Sequence, residues 1–298
     1  MRTFSNTRER FFLSGKTDYR KDIKIMKVLD SDFAKSFAKL ANDGFIMGYH
    51  ERNGGNLSYR IPKESVEAVK EELDYSKPFA DIGTAVASLA GEYFMVTGTG
   101  QYFQNVLERT EETSGIIEID STGTKYRIVW GFSGGGRPTS ELPSHLMNHE
   151  VKMLATNGKH RVIYHCHPAN VIAMTFLLPI DDKIFTRELW ESMTECPMIF
   201  PSGVGVIPWM VPGGREIAVA TSEKMKKYDV AIWAHHGIFC SGDTFDSTFG
   251  LAHTVEKSAE IYIKVRSVTD KKLQTITTRD FIALARDFGI DLSEEMLK

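Results

Sequence analysis

The sequence has few cysteines, no long hydrophobic run and no excess of charge of one sign. Three cysteines stand far apart in 298 residues and form no CxxC pair, which argues against a disulfide scaffold and favours a reducing, cytoplasmic setting. No apolar run approaches the roughly 20 residues of a membrane-spanning helix, and the charged N-terminus lacks the apolar core of a signal peptide. We therefore expect no membrane partner.

The charge balance excludes a second class of partner. The chain carries 36 Lys and Arg against 39 Asp and Glu, a net charge of −3. This balance creates no positive field that would attract nucleic acid or anionic lipid, so local groups must hold any anionic ligand. We therefore expect no nucleic-acid partner.

What is present is an ordinary globular composition, 42% hydrophobic and 25% charged, over a length that allows one large α/β domain or two smaller ones. Residues 1–30 are highly charged and weakly periodic, which predicts an N-terminal extension: an extra helix, an arm or a partly ordered segment. The periodicity sharpens from Asp30 onward, and no repeat, linker or low-complexity tract follows. We predict a single domain over residues 31–298.

Strand patterns recur along this domain. Alternating or apolar runs predict strands over 56–61, 92–98 and 229–235, and the run 115–131 predicts a hairpin around a Ser-Thr-Gly turn. Consecutive hairpin strands argue against a purely parallel, doubly wound sheet. The pattern indicates the α/β class with an antiparallel or mixed sheet.

Helical periodicity alternates with these strands. One helix is predicted just after the extension, one over 139–155 with a proline in its first turn, and a long one near the C-terminus. Residues with short polar side chains stand at the start of each and are expected to cap it. The expected caps, in chain order, are Asp30 or Ser31, Thr139 or Ser140, and Asp243.

Histidines stand at the ends of two predicted strands. In HCHPAN, His165 and His167 share one face of a strand, because side chains alternate across it. Two imidazoles so placed can reach one ion at about 2.0–2.1 Å but need a third ligand. In WAHHGIF, we expect His235 to continue a strand and His236 to lie at the bend before Gly237. The bend favours His236 as the third ligand.

A rival pair lies on the predicted helix 139–155. His145 and His149 are four residues apart and therefore share one helical face, a spacing that also suits a metal ion. The residues between them are LMN, so the HExxH pattern of metalloproteases is absent. Periodicity alone leaves both sites open.

Seven motifs in a fixed order carry a resemblance to a known family: ERNGGNLSYR, VTGTGQYFQNV, PTSELPSH, HCHPAN, ELWESMTEC, PWMVPG and HHGIFCSG. From about Asp30 to the C-terminus, the chain resembles the class II aldolase/adducin-type superfamily. The resemblance implies an α/β/α sandwich with a central, largely antiparallel β-sheet flanked by helices. It also implies a homotetramer with active sites at subunit interfaces, and a phosphorylated ketose as substrate.

The resemblance also implies roles for individual residues. Glu141 of SELP matches the family's catalytic glutamate, and Glu195 of TEC matches a second glutamate that reaches the site from a neighbouring subunit. Thr99 departs from the family's usual serine but keeps the hydroxyl. The implied ligands of one Zn²⁺ per subunit are His165, His167 and His236, and the implied phosphate-binding groups are Asn53, Asn56, Thr99, Gly100 and Ser140.

The implied chemistry suits these residue types. Aldol cleavage leaves negative charge beside a carbonyl, and zinc held by three neutral imidazoles would act on substrate oxygens as a Lewis acid. Glu141 is then the natural proton carrier, since a positioned acid–base group contributes roughly 10²–10⁴-fold in rate. The glycine loops NGGN and TGTG can direct backbone N–H groups at a phosphate.

Plainer interpretations exist for each feature. Glu141 alone reads as a helix-capping carboxylate, Glu195 as a surface acid, and each glycine loop as an ordinary turn. A non-catalytic relative, like the adducin head, would be expected to lack the three histidines. A metal-dependent hydrolase or a metal-storage protein would bind zinc without cleaving a carbon–carbon bond, and a sister enzyme would act on a different sugar phosphate.

Overall fold

A computed structural model describes residues 26–298, which contain nine strands and eleven α-helices. The strands are β1 (Asn56–Ile61), β2 (Ala80–Asp81), β3 (Tyr93–Thr97), β4 (Ser114–Ile119), β5 (Lys125–Gly131), β6 (Val162–Cys166), β7 (Gly205–Ile207), β8 (Val230–Trp233) and β9 (Gly237–Gly242). The helices are α1 (Asp32–Ile46), α2 (Lys63–Val69), α3 (Thr110–Thr113), α4 (Leu142–Ala155), α5 (Ala169–Leu177), α6 (Asp182–Ser192), α7 (Cys196–Ile199), α8 (Arg215–Met225), α9 (Phe245–Arg266), α10 (Thr278–Phe288) and α11 (Glu294–Leu297). None of these helices combines the length and the apolar character needed to cross a membrane.

All nine strands form one sheet in the order β2-β5-β4-β3-β1-β6-β9-β8-β7. Every neighbouring pair is antiparallel except β7 and β8, which are parallel. In the centre, Asn56 of β1 pairs with His165 of β6, and His165 also pairs with Phe239 of β9. The start of β1 and the ends of β3, β6 and β8 therefore meet at one edge of the sheet.

Helices cover both faces of the sheet. Alternate residues of β6 point in opposite directions, so Val162 and Tyr164 join the core beneath α1, α5, α6 and α9, while Ile163 joins the core beneath α4 and α8. Every residue of β6 is buried, as expected of a central strand covered on both faces. This arrangement is an α/β/α sandwich, and the predicted fold class is confirmed.

Two of the expected helix caps are wrong. Helix α4 begins at Leu142, after Glu141, because the backbone of Thr139 is held beside β3 by a bond from its N–H to the Thr97 carbonyl, 2.9 Å. Helix α9 is capped by Thr244 rather than Asp243; the Thr244 hydroxyl accepts from the Ser247 N–H in a capping box. At α1 the alternative Ser31 is the cap, since its hydroxyl accepts from the Ala34 N–H.

The predicted extension overlaps the described residues only at 26–30. There, Val28–Asp30 forms a 3₁₀ turn, and Val28 is buried in the core beneath α1. Residues 1–25 of the predicted extension lie outside the described residues. The division of the chain at residue 30 stays a prediction.

Candidate active site

Three histidines meet at the edge of the sheet where β6 and β8 end. His165 lies on β6, His167 follows the last residue of that strand, and His236 lies in the turn between β8 and β9. One nitrogen from each ring lies within 4.8 Å of the others. We call these residues the strand-end trio. Within the described part of the chain, they are the group of histidine, cysteine or acidic residues that could hold a metal ion.

The hydrogen bonds of His165 and His167 leave one nitrogen of each ring without a hydrogen, and these two bare nitrogens face each other. Nδ1 of His165 donates to the Ile238 carbonyl at 2.9 Å, and Nδ1 of His167 donates to the Glu51 carboxylate at 2.8 Å. Because both acceptors are oxygen atoms, each Nδ1 must carry the hydrogen of a neutral ring. The two Nε2 lone pairs then face each other at 3.3 Å. A cation between them would relieve this repulsion, so the donor set fits a nitrogen-preferring metal ion.

Burial favours the neutral form of two members of the trio, His165 and His236. It lowers the pKa of His165 well below its ordinary value, and it is the main cause that lowers the pKa of His236 to about 4. Metal ligation needs an unprotonated ring nitrogen. Near pH 7, these two rings present such nitrogens without first losing protons.

The choice of His236 over His235 agrees with the placement of the rings, but His235 does not continue the strand. Trp233 pairs with Gly237, so the residues between them form a tight turn in which His235 has a positive φ of 61°. Its ring turns toward α5, with its centroid 4.2 Å from that of Phe176. His236 faces the other two members of the trio, at ring-centroid distances of 5.0 and 4.8 Å.

Glu141 lies beside the trio at the N-terminus of α4. Its Oε2 is 3.7 Å from Nε2 of His165 and accepts a hydrogen bond from the Asn56 amide at 2.8 Å. The residue is only 8% exposed. Burial raises the pKa of this carboxyl above its ordinary value, while the Asn56 amide and His167 oppose that shift. Opposing influences of this kind suit a group that must both accept and release a proton.

One cavity of about 190 Å³ brings together all the predicted site residues except Glu195. Its walls are the two glycine loops, the start of α4 and the strand-end trio. Gly55 and Gly100 have positive φ values of 76° and 71°, which glycine adopts without strain. The lining residues are Asn53, Gly54, Gly55, Asn56, Gly98, Thr99, Gly100, Thr139, Ser140, Glu141, His165, His167, Pro212 and His236. The roles assigned to individual residues stay predictions.

Glu195 lies apart from this cavity within its own chain. It is exposed, immediately before α7, and borders a separate surface depression with Gln274 and Thr275. The role implied for Glu195 requires a neighbouring subunit, so it also stays a prediction.

Three residues at the site were missed by sequence reasoning. Glu51 holds His167, while Thr139 and Pro212 line the cavity. Glu51 is adjacent to the NGGN loop, and a histidine ligand usually needs an acceptor for its second nitrogen, so a search for an acid next to that loop could have found it. Thr139 and Pro212 lie within the quoted motifs PTSELPSH and PWMVPG, but nothing in their residue types indicates a contact with the cavity.

His145 and His149, which we call the helix pair, lie beneath the site and do not join the trio. Both imidazoles are buried, and both bond the Ser58 hydroxyl, at 2.6 and 2.8 Å. A hydroxyl between the rings occupies the position that a shared ion would need. The helix pair is a hydrogen-bonded element of the interior.

Comparison with known proteins finds relatives over most of the chain. A model of the class II aldolase and adducin N-terminal domain matches residues 34–263. The rhamnulose-1-phosphate aldolase of Mannheimia succiniciproducens is 45% identical over 266 residues, covering 89% of this chain and 97% of that protein. The rhamnulose-1-phosphate aldolase of Escherichia coli (strain SE11) is 42% identical over 266 residues, with the same coverage.

Solved structures share the fold. The sugar-phosphate aldolase of Thermotoga maritima has a TM-score of 0.69 and 26% identity, over 80% of this chain and 97% of that one. An L-fuculose 1-phosphate aldolase has a TM-score of 0.57 and 18% identity, over 87% of this chain and 97% of that one. The predicted family is confirmed: the chain belongs to the class II aldolase and adducin family.

Proposed function

We propose that this chain is a zinc-dependent class II aldolase that splits L-rhamnulose 1-phosphate reversibly into dihydroxyacetone phosphate and L-lactaldehyde, in L-rhamnose catabolism. The observation that carries the proposal is the convergence of three imidazole rings and a buried carboxylate on one cavity. Relatives named rhamnulose-1-phosphate aldolase, 42–45% identical over about 90% of the chain, support the choice of sugar.

The strand-end trio would hold one zinc ion per subunit. When bound, the ion supplies a Lewis acid that stabilises negative charge on substrate oxygens. Three neutral imidazoles leave the full charge of the cation available, whereas thiolate or carboxylate ligands would partly neutralise it. The bonds to the Ile238 carbonyl and the Glu51 carboxylate fix the orientation of two of the rings.

Glu141 would carry the proton at the reacting carbon. In the synthetic direction its carboxylate takes a proton from the carbon beside the carbonyl of dihydroxyacetone phosphate, and in cleavage it returns that proton. The Asn56 amide holds the carboxylate on the side of His165. Because Glu141 is largely buried, bulk water is kept from exchanging freely with that proton.

The two glycine loops would bind the phosphate through neutral donors. The residues that line the cavity include no Lys or Arg. Backbone N–H groups and short polar side chains can nevertheless form a concave anion site. The proposed phosphate set is Asn53, Asn56, Thr99, Gly100 and Ser140.

A second glutamate would complete the site across a subunit boundary. We place Glu195 of a neighbouring subunit, in a homotetramer, against the aldehyde half of the substrate. Co-expression of Glu141→Gln and Glu195→Gln chains tests this directly. If sites are shared between subunits, hybrid tetramers contain some sites with both glutamates and recover activity that neither parent has. Hybrids no more active than their parents would place Glu195 outside the reaction.

The deciding experiment compares two sugar phosphates with and without a chelator. Purified protein should release dihydroxyacetone phosphate from L-rhamnulose 1-phosphate faster than from L-fuculose 1-phosphate. EDTA should abolish the reaction, a metal count should give about one zinc per chain, and borohydride with substrate should trap no adduct. Cleavage that persists after complete metal removal would refute the metal-dependent mechanism, and faster cleavage of the fuculose ester would refute the choice of sugar.

A further inference from the structure

A continuous line of hydrogen bonds runs from the interior to Glu141. The helix pair bonds the Ser58 hydroxyl from two sides, and Nε2 of His145 contacts Oδ1 of Asn56. The other end of the Asn56 amide donates to Oε2 of Glu141 at 2.8 Å. All five residues are buried.

The direction of each bond in this line follows from the orientation of the Asn56 amide. Oδ1 of Asn56 can only accept, so Nε2 of His145 must carry the hydrogen. In a neutral ring, Nδ1 of His145 is then bare and accepts from the Ser58 hydroxyl at 2.6 Å. The single hydrogen of Ser58 is thereby used, so its oxygen accepts from Nε2 of His149 at 2.8 Å. Burial supports the neutral forms, since it lowers the pKa of both imidazoles, that of His145 to about 3.

We propose that His145 and Ser58 are positioning residues for Glu141, acting through the orientation of the Asn56 amide. This inference rests on the aldol reaction proposed above. A side-chain amide has two ends of similar shape, and rotation would turn Oδ1 instead of the N–H toward the carboxylate of Glu141. Two oxygen atoms in contact would repel, and Glu141 would move away from His165. The Nε2–H of His145 opposes this rotation, because it can donate to Asn56 only when Oδ1 faces inward.

Neighbouring positions restrict Asn56 further. It begins β1, where it pairs with His165 of β6, so its backbone is held beside the trio. Ser58 lies two residues along the same strand and therefore on the same face, beneath α4. One short strand thus carries both the amide that bonds Glu141 and the hydroxyl that bonds the helix pair. The resemblance assigns Asn56 to the phosphate; its second amide hydrogen leaves that contact possible, while the first serves Glu141.

The test uses variants that remove or retain the N–H at position 145. His145→Leu removes it and should lower kcat about 10–100-fold with little change in KM, in the range typical of groups that orient a catalytic side chain indirectly. His145→Gln can still donate to Asn56 and should recover most of the loss. Because a buried leucine there could impair folding, Ser58→Ala serves as a second removal variant, and Ser58→Thr retains the hydroxyl as its control.

Combining these substitutions with Glu141→Gln distinguishes a positioning role from a general effect on stability. In a Glu141→Gln background, His145→Leu should lower kcat no further, since the carboxylate that it positions is gone. A merely structural role would lower turnover by the same factor in both backgrounds. Equal factors would overturn the proposal.

Crystal structures of the metal-loaded variants supply a readout that requires no turnover. We expect the Glu141 carboxylate to be displaced from Asn56 in His145→Leu and Ser58→Ala. In His145→Gln and Ser58→Thr, it should stay bonded to Asn56. An unmoved carboxylate in both removal variants would overturn the proposal. If the unaltered protein cleaves no ketose phosphate, the proposed function fails, while these structures still decide whether the line of bonds orients Glu141.

Discussion

The strand-end trio and the helix pair have equally suitable spacing for a metal ion but very different surroundings. In the trio, the Nδ1 atoms of His165 and His167 are held by oxygen acceptors, and their Nε2 atoms face each other across open space at the cavity. In the helix pair, the Ser58 hydroxyl lies between the rings, and no member of the pair lines that cavity. The same side chain thus offers a lone pair to a ligand in one place and bonds an internal hydroxyl in the other.

The difference shows what a spacing rule omits. Two histidines on one face can both reach an ion, but they bind it only if their other nitrogens have acceptors and the space between the rings is free. A third residue decides each case here: Glu51 beside the trio and Ser58 within the pair. Both residues lie far from their partners in sequence, so no local pattern includes them.

Replacing one histidine in each group should give the largest difference, which is in metal content. His236→Gln should lower metal affinity by about 10²–10³-fold. Structural zinc sites with four ligands are worth roughly 10–16 kcal/mol, so one ligand contributes about 2.5–4 kcal/mol. The purified variant should contain little metal and turn over no faster than chelator-treated protein. His149→Gln makes the same chemical change in the helix pair and should keep its metal. Elemental analysis after dialysis measures the metal content of both variants. Equal metal loss would contradict the assignment of metal binding to the trio alone.

Glu141 is the residue that connects the two groups, since it lies against His165 and, through Asn56, is bonded to the helix pair. Glu141→Gln keeps the size of the side chain but cannot carry the proton. We expect kcat to fall about 10²–10⁴-fold, the contribution of a positioned acid–base group, with metal content unchanged. Steady-state kinetics and a metal count on one preparation test this. Normal turnover would exclude Glu141 from the mechanism.

Glu51 should have a smaller effect, confined to the trio. Glu51→Ala removes the acceptor of His167 and should lower metal affinity about tenfold. We expect the lower end of the usual range because the Glu51 side chain is 68% exposed and water can replace part of the bond. Glu51→Gln keeps an acceptor and should lose less. Chelator competition measures the metal affinity of both variants. Ser58→Ala, which removes the hydroxyl that bonds the helix pair, is the control whose metal affinity should not change.

Regular elements and the trio could be predicted from the sequence because their signals are local. The alternating run NLSYRI is β1 over the predicted residues, and the Ser-Thr-Gly turn joins β4 and β5 as predicted. The trio could be predicted because His165 and His167 end one apolar strand and His236 follows another. In the sheet both strands pair antiparallel with β9 between them, so their ends lie at the same edge.

Contacts between distant elements could not be predicted. The bonds from Ser58 to the helix pair depend on how α4 packs over β1, and 87 and 91 residues separate the partners. The start of α4 is displaced because the backbone of Thr139 bonds β3, a tertiary contact that overrides the local capping preference. The turn position of His235 follows from the pairing of Trp233 with Gly237, which the apolar run before them does not reveal.

The last effect we expect is a pH dependence of stability to which the helix pair contributes. Burial lowers the pKa of His145 to about 3 and that of His149 well below its ordinary value of 6.5. The unfolded chain therefore binds protons below about pH 6.5 that the folded chain does not. Stability is complete above that pH and falls as the pH drops toward the folded-state pKa, by about 1.4 kcal/mol per pH unit for each such histidine. Urea unfolding of the unaltered protein and of His149→Gln between pH 7 and pH 5 measures two slopes. Their difference isolates His149, because all other groups titrate in both proteins. His149→Gln should make the slope shallower by up to one proton. An unchanged slope would mean that the pKa of His149 in the folded state is close to its ordinary value.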